Sequence, residues 1–252
     1  MEVREIIANI QYYRHPEIDK ILFSNISIKV SNDQIFCLIG LSGAGKSTLL
    51  KILLEMAPGQ FEGSVHFCSN DHYYKVSEIK LIGKVGLLSP EASLIPWLKI
   101  KNNLILPSKL NNNLIIPKES EINNIINSLG MNPNNVLALY PHELSLGMQR
   151  RIALARVLLY KPSFLFLDEL FNGLDIINVD IIANYIKNYI SEEKALCFLI
   201  THDVRQAFNL THDIFYLSSN HELTELSHTD TEENIRQMMK ADLEKPTLFK
   251  KK

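Results

Sequence analysis

No run of apolar residues in this sequence approaches the ~18 needed to cross a bilayer as a helix, so no spanning segment is expected. The opening stretch, MEVREIIANI, lacks a basic region followed by an apolar one, and no secretory signal is expected either. Cysteine is scarce. Cys37, Cys68 and Cys197 are odd in number and far apart, which suits neither a zinc cage nor a disulfide framework and predicts reduced, buried thiols. An excess of one charge is also missing. Lys and Arg number 26 against 28 Asp and Glu, a net charge of −2, which leaves no electrostatic footprint for bulk nucleic acid. What remains is ordinary globular composition, 46% hydrophobic and 21% charged over 252 residues, enough for one hydrophobic core with a subdomain.

The patterning alternates between strand and helix. REIIANIQYY (4–13) and ILFSNISIKV (21–30) have the partial alternation of strands, and QIFCLIG (34–40) is a short apolar strand ending in glycine. KSTLLKILLEM (46–56) reads as a helix stopped by APG, and a second strand pair is predicted near GSVHF (63–67) and GKVGLL (83–88). Residues 99–160 turn helical and rich in Asn. Ile122, Ile125, Ile126 and Leu129 form one apolar stripe, with Gly130 as the stop. NNLILP (102–107) and NNLIIP (112–117) echo each other as compositional bias. SFLFLDE (163–169) and ALCFLITHD (195–203) are near-continuous apolar runs, as expected for central strands of a parallel sheet, so an α/β fold is predicted. The tail after about residue 219 is polar, with a helix predicted over 231–240 and a solvated lysine end.

GLSGAGKST fits G-x-x-x-x-G-K-[ST] between a strand and a helix, the setting a phosphate loop requires. Backbone N–H groups of Gly40, Ser42, Gly43, Ala44 and Gly45 would close around phosphate oxygens, and Thr48 completes the motif. Lys46 would bring positive charge to the β- and γ-phosphates, and the Ser47 hydroxyl suits Mg²⁺, a hard ion that prefers oxygen. Asp168 and Glu169 end the next central strand. Asp168 would hold Mg²⁺ directly or through water, and Glu169 would orient or deprotonate the attacking water. Alone, such an acidic pair would read as a helix cap. A second helix start, ELSLGMQRRIALARVLL (143–159), is entered through Ser145 and Gly147 and is a ready anion site.

GLSGAGKST, LSLGM (144–148), FLFLDE, NGLD (172–175) and THD (201–203), in this order, resemble the nucleotide-binding subunits of ABC transporters over nearly the whole chain. The resemblance implies an ABC ATPase fold. Its parts would be a core with a mostly parallel sheet and an antiparallel β subdomain (1–98 and 161–218), an inserted helical subdomain (99–160) and a short C-terminal extension (219–252). It implies ATP and Mg²⁺ as ligands and a head-to-tail dimer, in which Ser145 and Gly147 see the γ-phosphate held by the partner copy's phosphate loop. His202 would be the switch histidine beside Glu169, Asp175 the interface acid, and Tyr13 the aromatic that stacks on adenine, with Tyr12 as the alternative. The expected partners are a second copy, membrane permease subunits and, indirectly, a solute-binding protein. The expected location is peripheral, at the cytoplasmic face of the cell membrane.

SLIPWL and YPHELSLGMQRRIALARVL resemble the nitrate, sulfonate and taurine group of bacterial importers, which makes Trp97 and Leu98 candidates for the permease contact; a core Trp is the alternative. The chain departs from the family at three places. Pro90 stands where the family has a Gln, with Ser89 or Glu91 as substitutes; Leu146 replaces a signature glycine; Leu170 replaces the proline after the strand-end acids. The expectation is an active ATPase powering import of small anionic solutes. The alternatives are a non-transport ABC ATPase and a slow-turnover, ATP-gated assembly or regulatory subunit.

Overall fold

A computed structural model describes residues 4–17, 21–31, 34–69, 72–81, 83–227 and 229–244. The chain gathers into two compact units, Met1–Ser77 with Leu196–Lys252, and Glu78–Ala195. Among the described residues no helix is long and apolar enough to cross a membrane.

The first unit opens with β1 (Arg4–Arg14), β2 (Ile21–Ser31), β3 (Ile35–Gly40), α1 (Lys46–Leu53), β4 (Gln60–Ser69) and β5 (His72–Tyr74), followed by the short α2 (Val76–Leu81) at its edge. β2, β1, β4 and β5 form an antiparallel sheet in that order. Ile6, Ala8 and Ile10 of β1 point into the core at strand period. An irregularity against β4 then falls between Ile10 and Tyr12 and flips the alternation, so that Tyr13 rather than Tyr12 faces inward. The helix expected over 46–56 is shorter. Glu55 at φ 49 is left-handed, its N–H bonds the Ile52 carbonyl at 2.9 Å, and Met56 N bonds the Lys51 carbonyl at 2.7 Å, which closes α1 at Leu53.

The second unit contains β6 (Val85–Leu88), α3 (Ile100–Leu110), α4 (Glu119–Ser128), α5 (Pro133–Val136), a single 3₁₀ turn at Pro141–Glu143, α6 (Leu146–Leu158), β7 (Phe164–Asp168) and α7 (Ile176–Glu193). The strands expected near 63–67 and 83–88 both form, each with its own partners. β4 pairs with β1 and β5, whereas β6 pairs in parallel with β7, from Val85↔Phe164 to Leu88↔Leu167. The stripe Ile122, Ile125, Ile126 and Leu129 is buried, and Gly130 at φ 72 ends α4 as predicted. The two echoing Asn-rich stretches differ in structure. The first lies in α3 and the second in the loop before α4.

The chain returns to the first unit with β8 (Leu196–Thr201), α8 (Val204–Leu210), β9 (Ile214–Leu217), β10 (Leu223–Glu225) and α9 (Glu232–Glu244). β3 lies between β8 and β9, parallel to both, and β10 adds antiparallel to β9. β3 and β8 are buried throughout, and Phe36 stacks on Phe198 at 4.7 Å and Phe215 at 4.3 Å. The short strands β5, β9 and β10 do not stand out in the sequence pattern, because three or four residues are too few to show a period. Cys37, Cys68 and Cys197 are buried and none is joined in a disulfide, and burial pushes the Cys197 thiol far up.

Candidate functional site

In the first unit, β3 delivers Gly40 and the loop that follows closes on α1. Two glycines are required by geometry. A Cβ on Gly40 would lie 2.4 Å from the Leu217 carbonyl oxygen, and Gly45, at φ 98, would place one 2.9 Å from Cζ of Phe23. Lys46 is only 6% exposed, and its ammonium donates to the carbonyls of Gly40 (2.8 Å) and Leu41 (3.0 Å). The charge is thereby fixed against its own loop while Ser42 and Gly43 stay open to solvent and Ser47 and Thr48 are half-buried. Ala44 is buried. The parallel register Ile39↔Thr201 brings His202, the residue after β8, to the same sheet end as Gly40, and His202 is exposed there. Asp203 caps α8 by accepting from Arg205 N at 2.9 Å, which fixes the backbone next to His202.

Tyr13 is not an open platform for a base. It is 0% exposed, its hydroxyl donates to the Pro58 carbonyl, and its ring lies beside Phe23 and His15. The same burial raises its pKa. Tyr12, the preceding residue of β1, is half-buried.

In the second unit, β7 is buried throughout and ends on Asp168. Glu169 follows at φ 53, left-handed and half-buried. Its carbonyl accepts from Asn172 N at 3.3 Å and from the Arg150 guanidinium at 2.6 Å. Arg150 lies on α6, so the helix that follows LSLGM is tied to the turn that carries the acid. Ser145 caps α6 as expected, its hydroxyl accepting from Met148 N at 3.2 Å, and Leu146 projects into solvent. A Cβ on Gly147 would meet Leu174 at 3.2 Å, so the first turn of α6 lies close against the NGLD loop. Asp175 caps α7. It accepts from Asn178 N at 3.0 Å and Asn178 Nδ2 at 2.5 Å, and these bonds hold its carboxyl below the usual aspartate range. The second unit therefore brings Ser145, Gly147, Asp168, Glu169 and Asp175 into one connected arrangement.

The same unit presents the PWL stretch. Asn103 on α3 is buried; its carbonyl oxygen accepts from Ile95 N at 2.7 Å, and its amide donates to the carbonyls of Ile95 (3.1 Å) and Leu98 (2.8 Å). This pins residues 95–98 with Trp97 outward at 75% exposure, so Trp97 is not a core residue, and Leu98 is half-buried. Ser89, Pro90 and Glu91 are all exposed. Sequence reasoning gave no role to Arg150, Asn103 or His221. Arg150 sits inside a quoted motif, but the partners of the other two follow from packing alone.

Among the described residues no three His, Cys, Asp or Glu side chains gather as a cage for a metal. Each unit, taken by itself, carries a hard oxygen donor of the kind Mg²⁺ accepts, the Ser47 hydroxyl in the first and the Asp168 carboxylate in the second.

A family model described as ABC transporter matches residues 23–172, more than half the chain. The aliphatic sulfonates import ATP-binding protein SsuB of Bacillus thuringiensis subsp. konkukian is 31% identical over 198 residues, covering 79% of this chain and 74% of that one. A similar protein of Burkholderia cenocepacia, SsuB 2, is 29% identical over 205 residues, covering 80% and 70%. Among solved structures, a dimeric bacterial ABC transporter cassette superposes with a TM-score of 0.73 at 22% identity, covering 88% of this chain and 99% of that one. A post-hydrolysis dimer bound to ADP and Pi gives 0.75 at 22%, covering 90% and 100%. These likenesses support the fold, and the family follows from the sequence matches: the chain belongs to the ABC transporter family.

Proposed function

We propose that this chain is the ATP-binding and ATP-hydrolysing subunit of a bacterial importer of small anionic solutes. The observation that carries the reading is the pairing of chemistries. One unit holds a lysine fixed on a phosphate loop, and the other ties a strand-end carboxylate turn to the LSLGM helix through Arg150. Relatives near 30% identity are named as sulfonate import ATP-binding proteins, which supports the solute class. In this reading the loop from Gly40 to Thr48 binds the phosphates, with Lys46 on the β- and γ-phosphates. Ser47 and Asp168 would hold Mg²⁺, which would neutralise phosphate charge. Glu169 takes the proton of the attacking water, and His202 contacts the γ-phosphate.

Ser145, Gly147 and Asp175 act on the partner copy of a head-to-tail dimer. A γ-phosphate bridging two copies favours closure, and its loss releases them. The start of α6 suits this role, since Ser145 and Leu146 are exposed there at the positive end of the helix dipole. Residues 99–160 form the helical subdomain, and exposed Trp97 with Leu98 meets the permease. The solute-binding protein acts through that permease, and the subunit works at the cytoplasmic face of the membrane. Lys46→Ala tests the reading. Purified variant should lose MgATP binding by calorimetry and lose phosphate release. Wild-type affinity and turnover in this variant would sink the assignment.

A further inference from the structure

The turn between β9 and β10, residues 218–222, is polar, yet Ser218 and His221 are buried. His221 has φ 65, a left-handed conformation disfavoured for any residue with a Cβ. The turn is closed by His221 N on the Ser218 carbonyl (2.9 Å) and Ser218 N on the Glu222 carbonyl (3.0 Å). It is also gripped from outside. Asp242 of α9, 2% exposed, accepts from Tyr216 Oη at 2.7 Å, Ser219 N at 2.6 Å and Ser219 Oγ at 2.8 Å. Three donors satisfy a buried carboxylate and fix the residues on either side of Leu217 and Ser218.

What this turn touches is the phosphate loop, at both ends. Leu217 pairs with Gly40, the first residue of the loop. Nδ1 of His221 lies 2.8 Å from the carbonyl oxygen of Ala44, near the last. The imidazole also meets Phe23 edge to face at 5.7 Å, and Nδ1 is 3.5 Å from where a Cβ on Gly45 would stand. A carbonyl only accepts, so Nδ1 carries the proton and donates. In a planar trans peptide the C=O and the next N–H point in opposite directions. Holding the Ala44 carbonyl toward His221 therefore turns the Gly45 N–H away from His221.

We propose that His221 is a positioning residue of the phosphate site and that α9, through Asp242, is the element that keeps it in place. The C-terminal helix thereby sets nucleotide affinity. The proposal rests on the reading of residues 40–48 as the nucleotide site. It connects the α9 segment to the loop by bonds that span 177 and 23 residues of sequence.

The test uses the full chain, titrated with a non-hydrolysable ATP analogue and Mg²⁺ by calorimetry, with melting curves recorded without nucleotide. His221→Gly keeps a residue at home in the left-handed turn and removes only the imidazole. His221→Asn also tolerates that conformation and puts an amide N–H near the place of Nδ1. His221→Gly should raise the dissociation constant about tenfold, the scale of one buried hydrogen bond. His221→Asn should restore it to within about threefold. Asp242→Asn should weaken binding in the same direction, and the double variant with His221→Gly should bind no more weakly than His221→Gly alone. A lower melting temperature with unchanged affinity in His221→Gly would overturn the proposal, as would failure of His221→Asn to rescue. If wild type itself binds no ATP analogue, the nucleotide reading fails first and this inference goes with it.

Discussion

Glu169 shows how much a single position carries. A non-glycine residue at φ 53 costs about 1–2 kcal/mol, and such strain gathers where a side chain must be aimed. In this turn Leu170 takes the place of the family's proline, and the turn is held instead by Asn172 N and the Arg150 guanidinium on one carbonyl. Glu169→Gln should slow hydrolysis by ~10²-fold or more, the scale of a lost general base, while ATP affinity stays close to wild type. Phosphate release and calorimetry together check this. Arg150→Ala should lower kcat several-fold with KM little changed, and Arg150→Lys should recover part of it, because the bond orients the acid without touching nucleotide. An equal change in KM would place Arg150 in binding instead. Tyr13→Phe removes a hydroxyl that bonds the Pro58 carbonyl and should lower stability by about 1 kcal/mol with unchanged ATP affinity. A large loss of affinity in that variant would restore the stacking role.

At the scale of elements, the caps connect stability to pH. Asp175 closes the N-terminus of α7 with two bonds from Asn178, and these hold its pKa down. A carboxyl whose folded pKa is depressed adds stability above its unfolded value, and that stability is lost as pH falls through the lowered folded value. The contribution is thus intact at neutral pH, begins to fall near the ordinary aspartate value of about 4 and is gone once the pH lies below the lowered folded value. Asp175→Ala should lower the melting temperature at pH 7 and flatten the acid limb of the stability curve. A melting difference that persists unchanged at pH 2.5 would argue against the cap as the cause. The loop bearing Trp97 follows the same logic of element support, since buried Asn103 fixes its backbone and leaves the indole outside.

At the scale of the whole molecule, the proposed function has ATP bring two copies together. Glu169→Gln should therefore accumulate a dimer on a sizing column at saturating ATP. A variant that binds ATP yet stays monomeric, with the permease present as well as without it, would count against a closed sandwich. In the proposed function, Pro90 bears on coupling to the permease. It lies exposed in the stretch between β6 and α3 and has neither a carboxamide nor an N–H, so it cannot reach metal or water as a glutamine would. Pro90→Gln should raise permease-stimulated turnover more than basal turnover and leave the nucleotide dissociation constant within a few-fold. If neither rate moves while Glu91→Ala removes stimulation, Glu91 holds the role.

The sequence by itself determined the parts whose chemistry needs particular residues side by side. GLSGAGKST, FLFLDE and LSLGM are contiguous, so strand, loop and helix could be placed from them, and the C-terminal end of α4 and the cap of α6 came out where Gly130 and Ser145 predict. Tertiary structure alone decided which tyrosine is buried, because one irregularity in the pairing of β1 with β4 reverses the faces of the strand and no alternation rule anticipates it. It also chose the partners of the strands at 63–67 and 83–88, β1 and β5 for the one and β7 for the other, since pairing partners are chosen by how strands pack and not by their order. Finally, it set Glu169 in a left-handed turn under Arg150 and brought His221 to Ala44 and Asp242 to Ser219. Those contacts join residues far apart in the chain, and only the packed core fixes where such residues meet.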